Sequence, residues 1–356
     1  VQSGSQRLFN GYKDLAMTLN LKKTLLAAAV ALAATSVNAA TELTVYTALE
    51  ADQLKSYAKG FETANPDVKI RWVRDSTGII TARLLAEKEN PQADAILGVA
   101  ATSLLVLKDQ QMLQPYKPEG VEALSEQFVD KDATPSWVGM NAWVASICYN
   151  RIEAEKHGLP LPTSWKDLTK PVYQGHVVMP NPNSSGTGYL DVTSWLQTFG
   201  EEQGWAFMDD LHQNIDRYTH SGSKPCKMAA SGETPIGISF AYRGAKLISQ
   251  GAPVDLAFPS EGLGWDMEAA AIVKGTKKLD AAQKLMDWAV TRDANMLYND
   301  NFAVVAMPGV AKPVENYPAN IADRMIDNDF EWAALNRERI LKEWQRRYDG
   351  KSEAKN

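Results

Sequence analysis

This chain of 356 residues is short of the groups that perform chemistry. Its four histidines, His157, His176, His212 and His220, are scattered with no metal-ligand spacing, so each reads as a surface or satisfied residue. A Gly-x-Ser-x-Gly motif is absent. Gly350-Lys351-Ser352 has Gln345 where a phosphate loop needs glycine. Ser221-Gly222-Ser223-Lys224 matches Ser-x-x-Lys, but Pro225 follows and no Lys-Thr-Gly exists. No serine therefore comes with a recognisable base, and neither a metal nor a cofactor is indicated. Charge is tilted to the negative, with 37 Lys and Arg against 43 Asp and Glu. A net charge of −6 argues against nucleic acid or an anionic membrane as a partner, and any anion site must be built locally. The two cysteines, Cys148 and Cys226, could pair in an oxidising compartment, yet Cys148 lies in an apolar run where cysteine often only packs, and pairing stays open.

Long apolar runs are missing apart from Thr24–Ala34, which is short for a membrane span. Lys22-Lys23 precede it, and Val37-Asn38-Ala39-Ala40 follows. Basic region, apolar region and small-x-small site make Met17–Ala39 a secretory signal peptide, with cleavage expected after Ala39. Val1–Ala16 has no place in such a peptide. Residues 1–39 carry a net +3, so the mature chain would stand at −9. No cysteine follows the apolar region for lipid attachment.

The remaining length suffices for two domains with cores of their own. Strands at Leu43–Tyr46, Val68–Val73 and Ala95–Gly98 alternate with helices at Ala51–Ala64, Asp75–Glu89 and Ala101–Lys108. After a long strand, Trp143–Tyr149, the rhythm resumes. Strands are expected at Val177–Met179, Ile236–Phe240, Val254–Phe258 and Ala269–Val273, with helices at Leu190–Phe199, Trp205–Gln213, Tyr242–Gln250, Leu279–Thr291 and Asn295–Asn301. Phe330–Tyr348 reads as one amphipathic helix, and Lys351 onward should fray. This pattern implies α/β domains, each a mostly parallel sheet flanked by helices. With no Gly/Ser/Pro linker, the strands themselves should cross between domains, and such a fold closes like a hinge.

What the chain does have is cradle-like turns. Met179-Pro-Asn-Pro-Asn-Ser-Ser-Gly-Thr-Gly-Tyr189 runs from a strand end through small residues into a helix. That arrangement aims backbone N–H groups at an anion, and Ser185, Gly186 and Thr187 lie at its centre. Ser76-Thr77-Gly78 mirrors it in the other half of the chain. Each alone is also what an ordinary capped helix looks like. A third stretch, Pro259–Glu268, gathers Glu261, Asp266, Glu268 and Trp265 around glycines and could hold an ammonium, although a solvated acidic loop would look the same.

At Val45–Glu50, Ala86-Glu87 through Ala93-Asp94, Tyr149-Asn150, Pro180–Tyr189, Gly232-Glu233 through Ile236-Gly237, and Gly251–Gly262 the chain resembles periplasmic solute-binding proteins of ATP-driven importers. The branch is that of the ferric-ion and polyamine binders, and the likeness covers essentially all of the mature chain. Ser221–Lys227 and Pro259–Glu268 look most like the 2-aminoethylphosphonate-binding proteins. The resemblance implies a two-domain, type II periplasmic binding fold with hinge strands, here 40–140 with 260–306 and 141–259 with 307–350. It implies a ligand in the cleft, a membrane permease as partner, a periplasmic location, a monomer and no catalysis. Ferric binders carry adjacent tyrosines where this chain has only Tyr242, which counts against iron. Polyamine binders place an acidic residue at the position of Glu268. The expected ligand is thus 2-aminoethylphosphonate, with another small solute (ferric ion, a polyamine, phosphate) as the alternative and a secreted serine hydrolase as the reading of a different class. Thr47, Ser76, Thr77, Gly78, Ser185, Gly186, Thr187 and Tyr242 are the residues expected around the ligand, with Trp265 and one or more of Glu50, Asp266 and Glu268 at its amine.

Overall fold

A computed structural model describes residues 40–354; the signal-peptide reading of Met17–Ala39 lies outside the described residues. The strands are β1 (Thr41–Thr47), β2 (Val68–Arg74), β3 (Ala95–Ala100), β4 (Leu113–Gln114), β5 (Val138–Asn150), β6 (Val177–Pro180), β7 (Ile215–Thr219), β8 (Ile236–Phe240), β9 (Val254–Ala257), β10 (Trp265–Val273) and β11 (Val304–Val305). The helices are α1 (Ala51–Ala64), α2 (Thr77–Ala86), α3 (Ala101–Asp109), α4 (Arg151–His157), α5 (Gly186–Phe199), α6 (Glu201–Asn214), α7 (Lys224–Ser231), α8 (Ala241–Ser249), α9 (Leu279–Ala289), α10 (Arg292–Asn299), α11 (Ile321–Arg324), α12 (Phe330–Leu335) and α13 (Arg337–Tyr348).

β5 links the two halves of the sheet. Its first half, Val138–Val144, pairs antiparallel with β10, and its second, Ala145–Asn150, pairs with β8 and β9. The strand order is β2-β1-β3-β10-β5-β8-β6-β7. Outward from this seam β1 runs parallel to β2 and β3, and β6 runs parallel to β7 and β8. The seam itself is antiparallel, because β5 crosses from one half to the other instead of returning through a helix. Each half has its own core. Leu43, Tyr57, Phe61, Leu97, Met267 and Trp288 belong to the first; Trp165, Trp195, Phe207, Tyr218, Ile238 and Trp344 belong to the second. Val310 packs in the first core and Met325 against it.

Several elements depart from the sequence reading. α5 starts at Gly186, not Leu190, because Ser185 caps it by accepting from Gly188 N–H at 3.3 Å; Thr187 thereby enters the first turn. Trp265–Glu268 is the start of β10, not part of a turn. The Phe330–Tyr348 helix breaks at Asn336, whose side-chain amide bonds the Trp332 carbonyl at 2.9 Å, the local competition that disfavours asparagine within helices. Lys351–Glu353 does not fray: Lys351 Nζ reaches the carbonyls of His212 and Ile215 at 2.7 Å each, and Glu353 N–H donates to the Tyr218 carbonyl at 2.9 Å. Cys148 and Cys226 form a disulfide that fastens α7 to β5.

Candidate functional site

Beside the seam lies a small cavity lined from both halves of the sheet. Its walls come from strand ends and from the helices they feed, the place where open α/β sheets bind ligands. β1 leads into Ala48 and Glu50, β2 ends at Arg74, and α2 begins at Ser76 and Thr77. The opposite wall is Ser185, Gly186 and Thr187 at the head of α5, with Ser221 and Gly222 after β7. Trp143, Phe240, Tyr242 and Glu268 line it from the seam side.

The two helix starts nearly touch. A Cβ on Gly186 would lie 2.7 Å from Thr77 Oγ1, so only glycine lets the wall approach this closely. Gly78 N–H donates across to the Ser184 carbonyl at 2.9 Å. First-turn amides of a helix have no carbonyl of their own helix to bond, and the helix dipole adds partial positive charge at that end. Ser76 caps α2 by position without spending its hydroxyl on a capping bond. Arg74 adds a full charge. Its Nε is held by the Leu49 carbonyl at 2.9 Å, which fixes the guanidinium beside the cavity. Two dipole ends, hydroxyls and one guanidinium suit an oxyanion bearing more than one negative charge.

Glu268 is the counterweight. It is buried, and its oxygens accept from Asn141 Nδ2 at 2.8 Å and Tyr242 Oη at 3.2 Å. Neither donor is charged, and burial pushes this carboxyl up to about 7. Glu50 differs. Burial alone would raise its carboxyl, but Arg243 at 2.7 Å and Lys227 at 3.2 Å hold it below the usual range. Its charge is answered within the protein, so it is not free to serve an amine. Asp266 is further away: its Oδ2 accepts from Thr102 Oγ1 at 2.7 Å and its Oδ1 from Met267 N–H, and it does not line the cavity.

Eight of the twelve residues expected at the ligand therefore line one cavity: Glu50, Ser76, Thr77, Ser185, Gly186, Thr187, Tyr242 and Glu268. Thr47, Gly78, Trp265 and Asp266 do not. Thr47 is fully buried and accepts from Leu49 N–H at 3.1 Å. Gly78 sits where the walls meet. Trp265 stands edge-on to Phe330 and donates its indole N–H to the Ile326 carbonyl at 2.9 Å. Glu261, the other acidic member of its stretch, accepts from the backbone of Trp165 at 2.9 Å and Lys166 at 3.1 Å. The tryptophan that does line the cavity is Trp143, whose buried indole N–H has no partner among the described residues. Sequence reasoning passed over Trp143 and Arg74. Arg74 carried a usable signal, as the last residue of a parallel strand just before a Ser-Thr-Gly helix start. Trp143 carried none beyond its place in a strand.

Comparison with known proteins gives this arrangement its class. Residues 90–331 match the model of the bacterial extracellular solute-binding protein family, and the chain belongs to that family. The fold is the α/β periplasmic binding protein fold. The periplasmic binding protein AfuA from Actinobacillus pleuropneumoniae, solved with exogenous fructose-6-phosphate bound, superposes with a TM-score of 0.82 at 27% identity, covering 87% of this chain and 99% of that one. A probable ABC transporter periplasmic-binding protein of Sinorhizobium fredii is 27% identical over 300 residues, 83% of this chain and 81% of its own. A putative 2-aminoethylphosphonate-binding periplasmic protein of Salmonella paratyphi A is 21% identical over 263 residues, 72% of this chain and 74% of its own. The family consists of solute-binding proteins, not enzymes. It implies a small-molecule ligand, an ABC permease as partner and a periplasmic location. Among the described residues no helix is long and apolar enough to cross a membrane.

Proposed function

We propose that this protein captures a small phosphonate or phosphate monoester with a hydrogen-bond-donating far end, 2-aminoethylphosphonate foremost, and hands it to a membrane permease. The observation that carries this reading is the facing pair of helix starts, with Arg74 beside them and the uncompensated Glu268 on the same cavity. The phosphonate would lie on Ser76, Thr77, Ser185, Gly186, Thr187 and Arg74, and the ammonium on Glu268 under the Trp143 ring. A second reading, a sugar phosphate whose hydroxyls meet Glu268 and the Trp143 indole, is favoured by the likeness to AfuA. The protein works as a monomer in the periplasm after losing residues 1–39. Its two halves, joined through β5, close on the ligand.

Calorimetric titration with 2-aminoethylphosphonate, ethylphosphonate and fructose 6-phosphate tests it. Removing one partner of a desolvated charge pair costs about 2–5 kcal/mol, roughly a thirty- to several-thousandfold loss of affinity. Glu268→Ala should lose that much for 2-aminoethylphosphonate and little for ethylphosphonate. Thr187→Ala removes a hydroxyl donor to a charged acceptor and should weaken both by about 1–3 kcal/mol. Tighter binding of fructose 6-phosphate than of 2-aminoethylphosphonate would select the sugar phosphate. Binding of none of the three would sink the organophosphorus assignment.

A further inference from the structure

The two turns that form the second wall of the cavity are not held by that wall alone. Ser184 directly precedes Ser185-Gly186, and His220 directly precedes Ser221-Gly222. Ser184 Oγ and His220 Nδ1 lie 3.0 Å apart, so one contact joins the turns. The other ring nitrogen, Nε2, is 3.0 Å from the backbone carbonyl of Glu353. A carbonyl can only accept, so Nε2 carries the proton. In the neutral ring Nδ1 then accepts from the Ser184 hydroxyl.

Glu353 also accepts the backbone N–H of His220 at 2.8 Å and an ion pair from Lys224. Asp349 and Ser352, in the same C-terminal segment, take the side-chain amide of Asn181 at 3.2 and 2.8 Å, at the root of the first turn. Ser184 itself is buried, and its carbonyl is the one that receives Gly78 N–H from the opposite wall.

We infer that His220 is a positioning residue for ligand binding. Backed by the segment Asp349–Glu353, it sets the spacing of the Ser184–Thr187 and Ser221–Gly222 turns and presents the Ser184 carbonyl to Gly78. This rests on the reading of the cavity as the ligand site. His220 does not line the cavity and acts only through the turns it joins.

Hydrogen exchange on the ligand-free protein tests the positioning directly. His220→Ala should speed exchange about tenfold at the amides of 184–188 and 221–223, the loss that goes with one hydrogen bond, while the core strands of the same half keep wild-type rates. Two conservative variants separate the arms. His220→Asn can place its Oδ1 near the Nδ1 position as the acceptor for the Ser184 hydroxyl and should restore protection at 184–188. His220→Gln keeps a donor near Nε2 for the Glu353 carbonyl and should restore protection at 221–223 but not at 184–188. Affinity for inorganic phosphate and 2-aminoethylphosphonate should fall about tenfold in His220→Ala and recover with Asn. Wild-type exchange at both turns in His220→Ala would overturn the inference. So would a uniform rise over the whole half, which marks a folding role, or affinity unchanged despite faster exchange. If the wild type binds neither probe, the ligand assignment fails and the exchange pattern still decides the role of His220.

Discussion

Glu268 contributes to how the empty protein responds to pH. Its carboxyl is pushed from an ordinary 4.5 to about 7 by burial, with Asn141 and Tyr242 pulling the other way. A folded value above the unfolded one means that the native state holds the proton longer. The stability this group contributes is complete below about pH 4.5 and is lost as pH rises through about 7, on the order of 3 kcal/mol in all. Asp266, raised to about 6 chiefly by burial, adds a loss of the same sign over lower pH. Glu268→Gln is therefore expected to flatten the fall in melting temperature of the ligand-free protein between pH 5 and 8. Scanning calorimetry at four pH values checks it, and an unchanged slope would mean that Glu268 does not carry the burial cost. At this scale the sequence disclosed chemical type better than partnership. Hydroxyls at helix starts were legible because capping preferences are local. That Glu50 is already engaged was not, because its partner Arg243 lies on an element 193 residues away.

Two helix heads meeting is the feature that local pattern could only half disclose. Ser76-Thr77-Gly78 and Ser185-Gly186-Thr187 each announced a helix start, but that they face one another depends on how β5 joins the halves. The same limit explains Trp265–Glu268. Its glycine-rich lead-in reads as a turn, yet pairing with Trp143 and Val144 on β5 makes it a strand, and tertiary pairing outweighs local preference. Contact between the heads is tight at Gly78, where an added Cβ would lie 2.2 Å from the Asn183 carbonyl oxygen and 2.8 Å from that of Ser184. Backbone oxygens cannot swing aside as a side chain can. Gly78→Ala should therefore hold the two walls apart without disturbing either core. The expected result is at least about a tenfold loss of ligand affinity, one lost backbone contact and its neighbours, with a near wild-type melting temperature when empty. A matching fall in that melting temperature would place the clash within the fold instead of at the closing surface.

On the scale of the whole molecule, charge crosses the cleft. Glu50 and Asp52 at the head of α1 meet Arg243, Lys227 and Lys246 from α7 and α8. Arg243 is almost wholly buried and bridges both carboxylates, so this cluster favours approach of the halves before any ligand enters. Arg243→Met should leave two carboxylates facing fewer cations. The ligand-free radius of gyration from X-ray scattering should then exceed that of the wild type, most clearly at low salt, where charges are screened least. Equal radii at both low and high salt would remove the cluster from the closing equilibrium. The alternation of strands and helices, and the lack of a linker, made a hinged α/β pair legible; the ionic bridge across it was not, since no short-range pattern relates Asp52 to Lys246. The Cys148–Cys226 bridge, finally, bears on when the protein becomes competent. Ser185, Gly186, Thr187, Ser221 and Gly222 all fall inside the covalent loop it closes, while Glu50, Ser76 and Glu268 fall outside. Newly made chain held in a reducing compartment would possess every binding group yet leave those five untethered, so oxidation after export is the step at which maturation of the receptor would be completed.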